Sequence, residues 1–467
     1  MGGHFGAALS RRMLGEAGLH SAAERTHQCA HPVRLVGSTS HLNPTTGEER
    51  VLYASAQELD GATWVPCGNR RAAVCEPCSD RYKADAWQLI NAGLGGGKGI
   101  PSSVATRPCT FATLTAPSFG PVHGLRDTGP CRARRDRPIC EHGSPLWCGR
   151  RHRRNDPRLG DPLCVDCYDY TAHVLWQWYA PELWRRFTIA LQRELARMAA
   201  LSVAAFRQQC RISYSKVVEF QARGVVHVHV PVRLDGPQGP DGPAAKVGVT
   251  TVDLEAAILT AAARVRVDAA PLADGRVYRL GWGNQVDTRS ISQAAEHDVR
   301  RTGSRGGVAV HPEQVASYLA KYLTKATEDF GLPSRVRTVA HAVAAGASDH
   351  AVRIIQTAVD LSGQHDNYAM LLAHLGTLGY RGHPITKSRA YSITFGQLRR
   401  ARRLFRCNPA GLSPDADVRQ ILDDDPDVPE GFELVSSWQF VGQGYLDLEQ
   451  AAAAVMSAAL SRTRATS

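Results

Sequence analysis

Gly224-Val225-Val226-His227-Val228-His229-Val230 places two histidines two residues apart inside an apolar run. The run reads as a β-strand, and strand side chains alternate between faces, so both imidazoles project from the same one. Two imidazoles on one face are a ready pair of metal ligands. Just upstream, Val217-Val218-Glu219-Phe220-Gln221 reads as a second strand. Ala222-Arg223-Gly224 between the two has the form of a three-residue hairpin loop with glycine in the left-handed position. If Gln221 pairs with Val225, Glu219 stands directly opposite His227. That register gathers a carboxylate and two imidazoles on one face of one hairpin. A histidine pair in a strand is also compatible with plain packing, and the facing glutamate is what argues for a metal.

About ninety residues on lies His311-Pro312-Glu-Gln-Val315-Ala-Ser-Tyr318-Leu319-Ala-Lys321-Tyr322-Leu323-Thr-Lys325-Ala326-Thr-Glu-Asp-Phe330-Gly331. Pro312 suits the first position of a helix, and Gly331 with Pro333 suits its end. Val315, Leu319, Leu323, Ala326 and Phe330 are spaced as a buried stripe. Tyr318 and Tyr322 are four apart and stack on one face at its edge, with Lys321 and Lys325 on the flank. In isolation this pattern is better read as two core tyrosines with snorkelling lysines, and the histidine hairpin is what turns the reading towards chemistry.

Together these motifs resemble the HUH-type single-strand endonucleases. The pattern E-x-Q-x-R-G-x-x-H-x-H followed by Y-L-A-K-Y-x-T-K is similar to the rolling-circle replication initiators of actinobacterial plasmids and integrative elements, of the RepSA type. A third motif of that family, an F-x-T-L-T strand, matches Phe111-Ala-Thr113-Leu-Thr115. The resemblance runs from about residue 60 to about residue 405. It implies an α+β fold: an HUH core with a central antiparallel sheet and flanking helices, zinc-binding insertions and a helical C-terminal region. It also implies that Tyr322, within Lys-Tyr-x-x-Lys, is the nucleophile that nicks origin DNA. A 5′-phosphotyrosine and a free 3′-hydroxyl primer would result. Where some relatives carry a glutamate four residues upstream, this chain has Tyr318, as in initiators with alternating tyrosines. Tyr318 is therefore either a second nucleophile or a structural residue.

His227, His229 and Glu219 offer mixed nitrogen and oxygen ligands, which suit Mg²⁺ or Mn²⁺ with positions left open for phosphate oxygens. Tyrosine ionises near pH ~10, so the nucleophile needs help in losing its proton, and the metal and Lys325 are the candidate sources.

Twelve cysteines raise the question of disulfides, but their spacing argues for metal. Cys67, Cys75 and Cys78 end in a C-x-x-C knuckle, with Cys29 as a fourth ligand and His27 or His31 as substitutes. Cys131, Cys140, His142, Cys148, His152, Cys164 and Cys167 form a second cluster with more ligands than one site needs, hence one zinc or two. Cys109, Cys210 and Cys407 have no partner spacing and read as packing residues.

The 467 residues leave room for two or three domains. The expected divisions are a polar region at 1–60, a cysteine-rich zinc segment at 61–107, a nickase domain at 108–330 interrupted by a Cys/Arg-rich insertion at 129–170, and a basic, mainly helical region at 331–467. Helices are expected over 80–92, 181–206 and 252–265, a strand over 277–287, and a fraying helix over 449–467. The glycine run at 93–99 is not a phosphate loop, because Ala92 and Gly99 stand where that motif needs Gly and Ser or Thr. With no such loop, an ATP-driven motor in this chain is not expected, and host DNA polymerase and helicase are the implied partners.

A formal charge of +11 suits a polyanionic partner. Arg223 in the hairpin loop, with Arg381, Lys387 and Arg389 in an aromatic-interleaved basic stretch, are the candidate DNA contacts. The chain has neither an apolar run of membrane-spanning length nor a signal-peptide pattern, so a cytoplasmic location is expected. Competing readings are an HUH relaxase or transposase, and a non-catalytic zinc-dependent DNA-binding regulator.

Overall fold

The computed structural model describes residues 26–58, 61–294, 309–333, 335–407, 417–419, 428–445, 452 and 456. In chain order its elements are β1 (Val33–Leu42), β2 (Glu49–Ala54), β3 (Thr63–Val65), α1 (Glu76–Gly95), β4 (Cys109–Leu114), α2 (Tyr170–Met198), α3 (Val203–Gln209), β5 (Arg211–Phe220), β6 (Val226–Asp235), α4 (Thr251–Arg264), β7 (Arg266–Asp268), β8 (Arg279–Gly281), β9 (Val286–Ser290), α5 (Pro312–Leu323), α6 (Val339–Ala344), α7 (Asp349–Ser362), β10 (Ile385–Lys387), α8 (Phe395–Cys407) and β11 (Glu433–Gln443). The chain divides into two compact units, Met1–Ala86 with Phe395–Ser467, and Trp87–Thr394.

In the first unit β1 is the hub of an antiparallel sheet, paired along its length with β11 on one side. On the other side it pairs with β2 and then with β3. Within the polar region at 1–60, residues 33–54 form two strands, and beside the helices of the C-terminal region β10 and β11 belong to sheets. The reason lies in the partnering. Ser-Thr-Ser-His within β1 hides the apolar alternation, and the strand that completes its hydrogen bonds comes from four hundred residues away. The helix expected over 449–467 lies outside the described residues apart from Ala452 and Met456.

The second unit is built on a five-stranded antiparallel sheet in the order β10-β5-β6-β4-β9. The β5–β6 hairpin has the expected register, with Glu219 opposite His227 and Val217 opposite His229. Gly224 closes the turn at φ +79°. Alternation then divides the sheet. Val226, Val228, Val230 and Val232 of β6 join Ala112 and Leu114 of β4 in a buried core under Trp176, Leu183 and Phe187 of α2 and Leu254 and Ile258 of α4. His227, His229, Glu219 and Thr113 point to the other face, where α5 lies. A β6 buried on both faces along nearly its whole length is what a central strand requires, although four of its ten residues are His227, His229, Arg233 and Asp235.

Helix boundaries differ from expectation in two places. α2 begins at Tyr170, where the Asp169 side chain accepts from Ala172 N, and Pro181 lies inside it rather than at its start. α5 stops at Leu323, short of Gly331. Thr324 Oγ1 turns back to Lys321 O, and the Glu328 carboxylate takes the Ala326 N–H that a continuing helix would use. Val315, Leu319, Leu323, Ala326 and Phe330 are nevertheless all buried, the last two on the turn that follows.

The far end of β6 is anchored by charge. Asp235 accepts from Arg107 Nη1 at 2.6 Å, Arg233 Nε at 2.7 Å and Nη2 at 2.8 Å, and Ser213 Oγ at 2.6 Å. Both ion pairs are buried. Arg107 also donates to the carbonyls of Gly239, Pro240 and Gly242, and so staples the Pro/Gly segment after β6 to the sheet. No helix among the described residues is long and apolar enough to cross a membrane.

Candidate active site and metal centres

α5 is started by His311, whose Nδ1 accepts from Glu313 N while Gln314 returns a bond to His311 N, with Pro312 at the first helical position. Trp87 Nε1 donates to Ser317 Oγ at 3.1 Å and fixes the helix from the side. This aims Tyr318 and Tyr322, 4.8 Å apart between ring centroids, at the histidine hairpin. Tyr318 meets His229 edge-on at 5.4 Å, and Tyr322 stacks over the same imidazole at 6.4 Å. Phe111 of β4 backs His229 at 6.0 Å and meets Tyr318 at 6.1 Å. All three sequence motifs therefore converge on one imidazole.

His229 Nε2 lies 2.9 Å from Glu219 Oε2, and its Nδ1 lies 3.0 Å from Thr113 Oγ1. A hydroxyl can donate or accept, so Thr113 holds either tautomer of His229 and leaves Nε2 able to carry a proton or a metal. His227 is different. Its Nε2 is buried without a hydrogen-bond partner, and burial, with His229 and Arg223 nearby, pushes its pKa down to about 3. A buried nitrogen lone pair that stays neutral and unpartnered fits a metal ligand better than a packing residue. Burial raises the pKa of both tyrosines, and Glu219 raises them further. Two cations oppose this: Arg289 of β9 acts on Tyr318, and Arg154 acts on Tyr322.

The lysines and arginines singled out in the sequence fall into two groups. Lys321 and Arg389 are exposed, as is Lys325, which sits on the turn after α5 rather than on the helix. Arg381 is exposed as well, with its guanidinium 4.4 Å over the Trp178 ring. By contrast Arg223 spends Nη1 and Nη2 on the carbonyls of Pro117 and Ala116, and Nε on Gln221. Lys387 turns its Nζ onto the carbonyls of Ser388, Arg389 and Ser392, and burial lowers its pKa to about 8. Arg223 therefore ties the hairpin turn to the segment after β4, and Lys387 braces its own loop. Nothing in the sequence marks Arg289, and Thr113 stands out there only as part of the F-x-T-L-T motif. Their place in the site exists only once the strand order sets Thr113 directly opposite His229 and Arg289 opposite Phe111.

Among the described residues, three further clusters of metal-ligating side chains stand apart from this site. Cys29, Cys67, Cys75 and Cys78 converge in the first unit, so Cys29 is the fourth member rather than His27 or His31. The second cysteine cluster resolves into two tetrads, His123-Cys131-Cys148-His152 and Cys140-His142-Cys164-Cys167. His123 was missed because nothing local marks it. Among the described cysteines all are free thiols. Cys29 and Cys75 sulfurs are 3.8 Å apart, Cys67 and Cys78 sulfurs 3.7 Å, far beyond the ~2.05 Å of a disulfide. A tetrahedral ion with Zn–S bonds of ~2.3 Å needs sulfurs ~3.8 Å apart, so these spacings suit a metal such as zinc. Cys109 and Cys210 are buried outside any tetrad; the Cys407 side chain lies outside the described residues. An open cleft of about 850 Å³ is lined by Arg150, Arg151, Arg153 and Arg158 together with Asp156, the partner of His152.

The second unit thus sets paired tyrosines over a histidine–carboxylate hairpin, and the basic chain also carries three Cys/His clusters. A model of the RepSA family, described as "Replication initiator protein, pSAM2", matches residues 17–459. A replication initiator protein of Streptomyces ambofaciens is 37% identical over 448 residues, covering 95% of this chain and 90% of that one. The chain belongs to this family of replication initiators. No solved structure matches it.

Proposed function

We propose that this protein starts rolling-circle replication by nicking one strand of origin DNA with a tyrosine. The convergence of Tyr318 and Tyr322 on His229, itself in contact with Glu219, carries this reading. Tyr322 is the first nucleophile. Its phenolate oxygen attacks the scissile phosphorus, the bond from phosphorus to the 3′-oxygen breaks, and that oxygen leaves to take a proton from solvent. The 5′-phosphate stays on the tyrosine, so the phosphodiester energy is kept and rejoining needs no ATP. Tyr318, one helical turn away, is placed to take the strand in a second transfer that releases the first.

His227, His229 and Glu219 are the residues that would hold Mg²⁺ or Mn²⁺, which when bound supplies Lewis-acid polarisation of a phosphate oxygen. Glu219 otherwise opposes ionisation of both phenols; with its charge paired to a cation it no longer does. Thr113 keeps His229 oriented, and Arg154 favours the Tyr322 phenolate. Lys321, Lys325, Arg381 and Arg389 supply exposed cations for the strand. Host DNA polymerase in the cytoplasm extends the primer while a host helicase separates the strands.

The test is a covalent-adduct assay. Labelled single strands tiled across the replicon that encodes the protein are incubated with it in Mn²⁺ or in EDTA and run on a denaturing gel. A metal-dependent adduct lost in Tyr322→Phe is expected. Loss only in Tyr318→Phe would exchange the two roles. Tight binding with no adduct on any strand would instead favour a non-catalytic regulator.

A further inference from the structure

Residues 121–167 contain no helix and no strand, only isolated bridges such as Val122 with Pro162 and Arg132 with Cys148. They have almost no apolar core. The side chains buried there include Cys131, Cys148, His152 and Cys164, all members of the two tetrads. A segment of this size without a core needs another source of stability, and metals are the usual one.

The donor spacing fits two ions. With Zn–N and Zn–S bonds of ~2.1 and ~2.3 Å, tetrahedral edges are ~3.4 Å for two nitrogens and ~3.6 Å for nitrogen with sulfur. In the first tetrad His123 Nδ1 to His152 Nε2 is 3.1 Å, Cys148 Sγ to His152 Nε2 is 3.5 Å and Cys131 Sγ to His123 Nδ1 is 3.9 Å. In the second, His142 Nδ1 lies 3.3 Å from Cys167 Sγ and 3.8 Å from Cys164 Sγ. The other nitrogen of His152 contacts Asp156 Oδ2 at 2.6 Å, the carboxylate partner that commonly orients a metal-bound imidazole.

The ligands also alternate in pairs along the chain: 123 and 131 go to one site, 140 and 142 to the other, 148 and 152 to the first, 164 and 167 to the second. The loop closed by the first site thus carries ligands of the second, and the reverse. We propose that residues 121–167 form a two-zinc cross-brace in which neither ion is held once a ligand of the other is removed. The brace is docked on the histidine hairpin. At Gly160 (φ +91°) the backbone packs so closely that an added Cβ would fall 2.0 Å from Ala222 O. Its arginine loop, residues 150–158, therefore stands on a metal-dependent mount. The proposal does not depend on the nicking reading.

Zinc per full-length chain is measured by mass spectrometry after purification in reducing, metal-free buffer. Three per chain are expected, counting the first-unit tetrad, and one in either His123→Ala or Cys140→Ser. Loss of only one zinc relative to the wild type in each variant would overturn the obligate pairing, and fewer than two in the wild type would overturn the brace. Should the variants be insoluble, the wild-type protein is stripped and titrated with Co²⁺. The two-sulfur and three-sulfur sites absorb differently, and their bands are expected to grow together. Saturation of one before the other begins would refute the proposal.

Discussion

Asp235→Ala removes the hub of the charge cluster that anchors β6. The carboxylate accepts four bonds, three of them from guanidiniums, and both pairs it makes are buried. Truncation leaves Arg107 and Arg233 facing each other as buried like charges. Breaking one buried pair by removing a partner costs roughly 3–5 kcal/mol. Arg107 keeps three carbonyl acceptors and Arg233 keeps those of Gly93 and Tyr391, which limits the total to about 5 kcal/mol even with two cations exposed. For a unit of about 300 residues, 1 kcal/mol moves the melting temperature by roughly 1.5 °C, so the shift expected is about 8 °C. Differential scanning calorimetry of the wild type and variant measures it. The physical origin is checked by a double-mutant cycle: adding Arg233→Met to Asp235→Ala should cost less than the sum of the two single changes, because the second removes a charge the first stranded. A shift below 2 °C, or strict additivity, would refute the argument that desolvated charge holds this end of the sheet.

The hairpin turn carries an acid sensitivity. His350 Nε2 donates to Arg223 O at 3.1 Å and its Nδ1 lies 3.0 Å from Tyr170 Oη, so the ring is neutral in the fold, and burial lowers its pKa from 6.5 to about 4. Between those values the unfolded chain binds the extra proton, so stability falls as pH drops from about 6.5 towards 4, by about 2 kcal/mol at pH 5; urea unfolding at pH 7 and 5 should show that loss reduced in His350→Gln. Gly160→Ala meets both a left-handed φ and a backbone oxygen, and should lower the melting temperature by several degrees, whereas Gly143→Ala, with φ +76° but open space around it, should cost about 1 kcal/mol. Arg154→Ala should move the pH profile of adduct formation upwards by less than about one unit while Arg154→Lys leaves it in place, since the exposed cation acts by charge alone.

How much of this could be read without the fold depends on the range of the interactions. The β5–β6 hairpin is local: period-two alternation and one glycine in the turn set its register, so Glu219 was assigned opposite His227 correctly. The tyrosine pair follows equally from helical spacing, and capping by His311 and Pro312 is written in adjacent residues. The length of α5 was overestimated because its stop depends on the Glu328 carboxylate reaching back to Ala326 N, a contact no propensity encodes. For Arg223 and Lys387, cation density is visible in sequence, whereas the carbonyls they bond within the chain are not.

The sequence by itself thus determined the chemistry on offer, with imidazoles, carboxylate and phenols at spacings that place each set on one face. Tertiary structure decided which of them meet. Only folding pairs β1 with β11 across four hundred residues, sets Thr113 against His229, brings Arg289 near Tyr318, recruits His123, and sorts one cysteine cluster into two interleaved tetrads. Those contacts have no local period or propensity to announce them. They are set by how distant segments exclude water together and satisfy each other's buried polar groups.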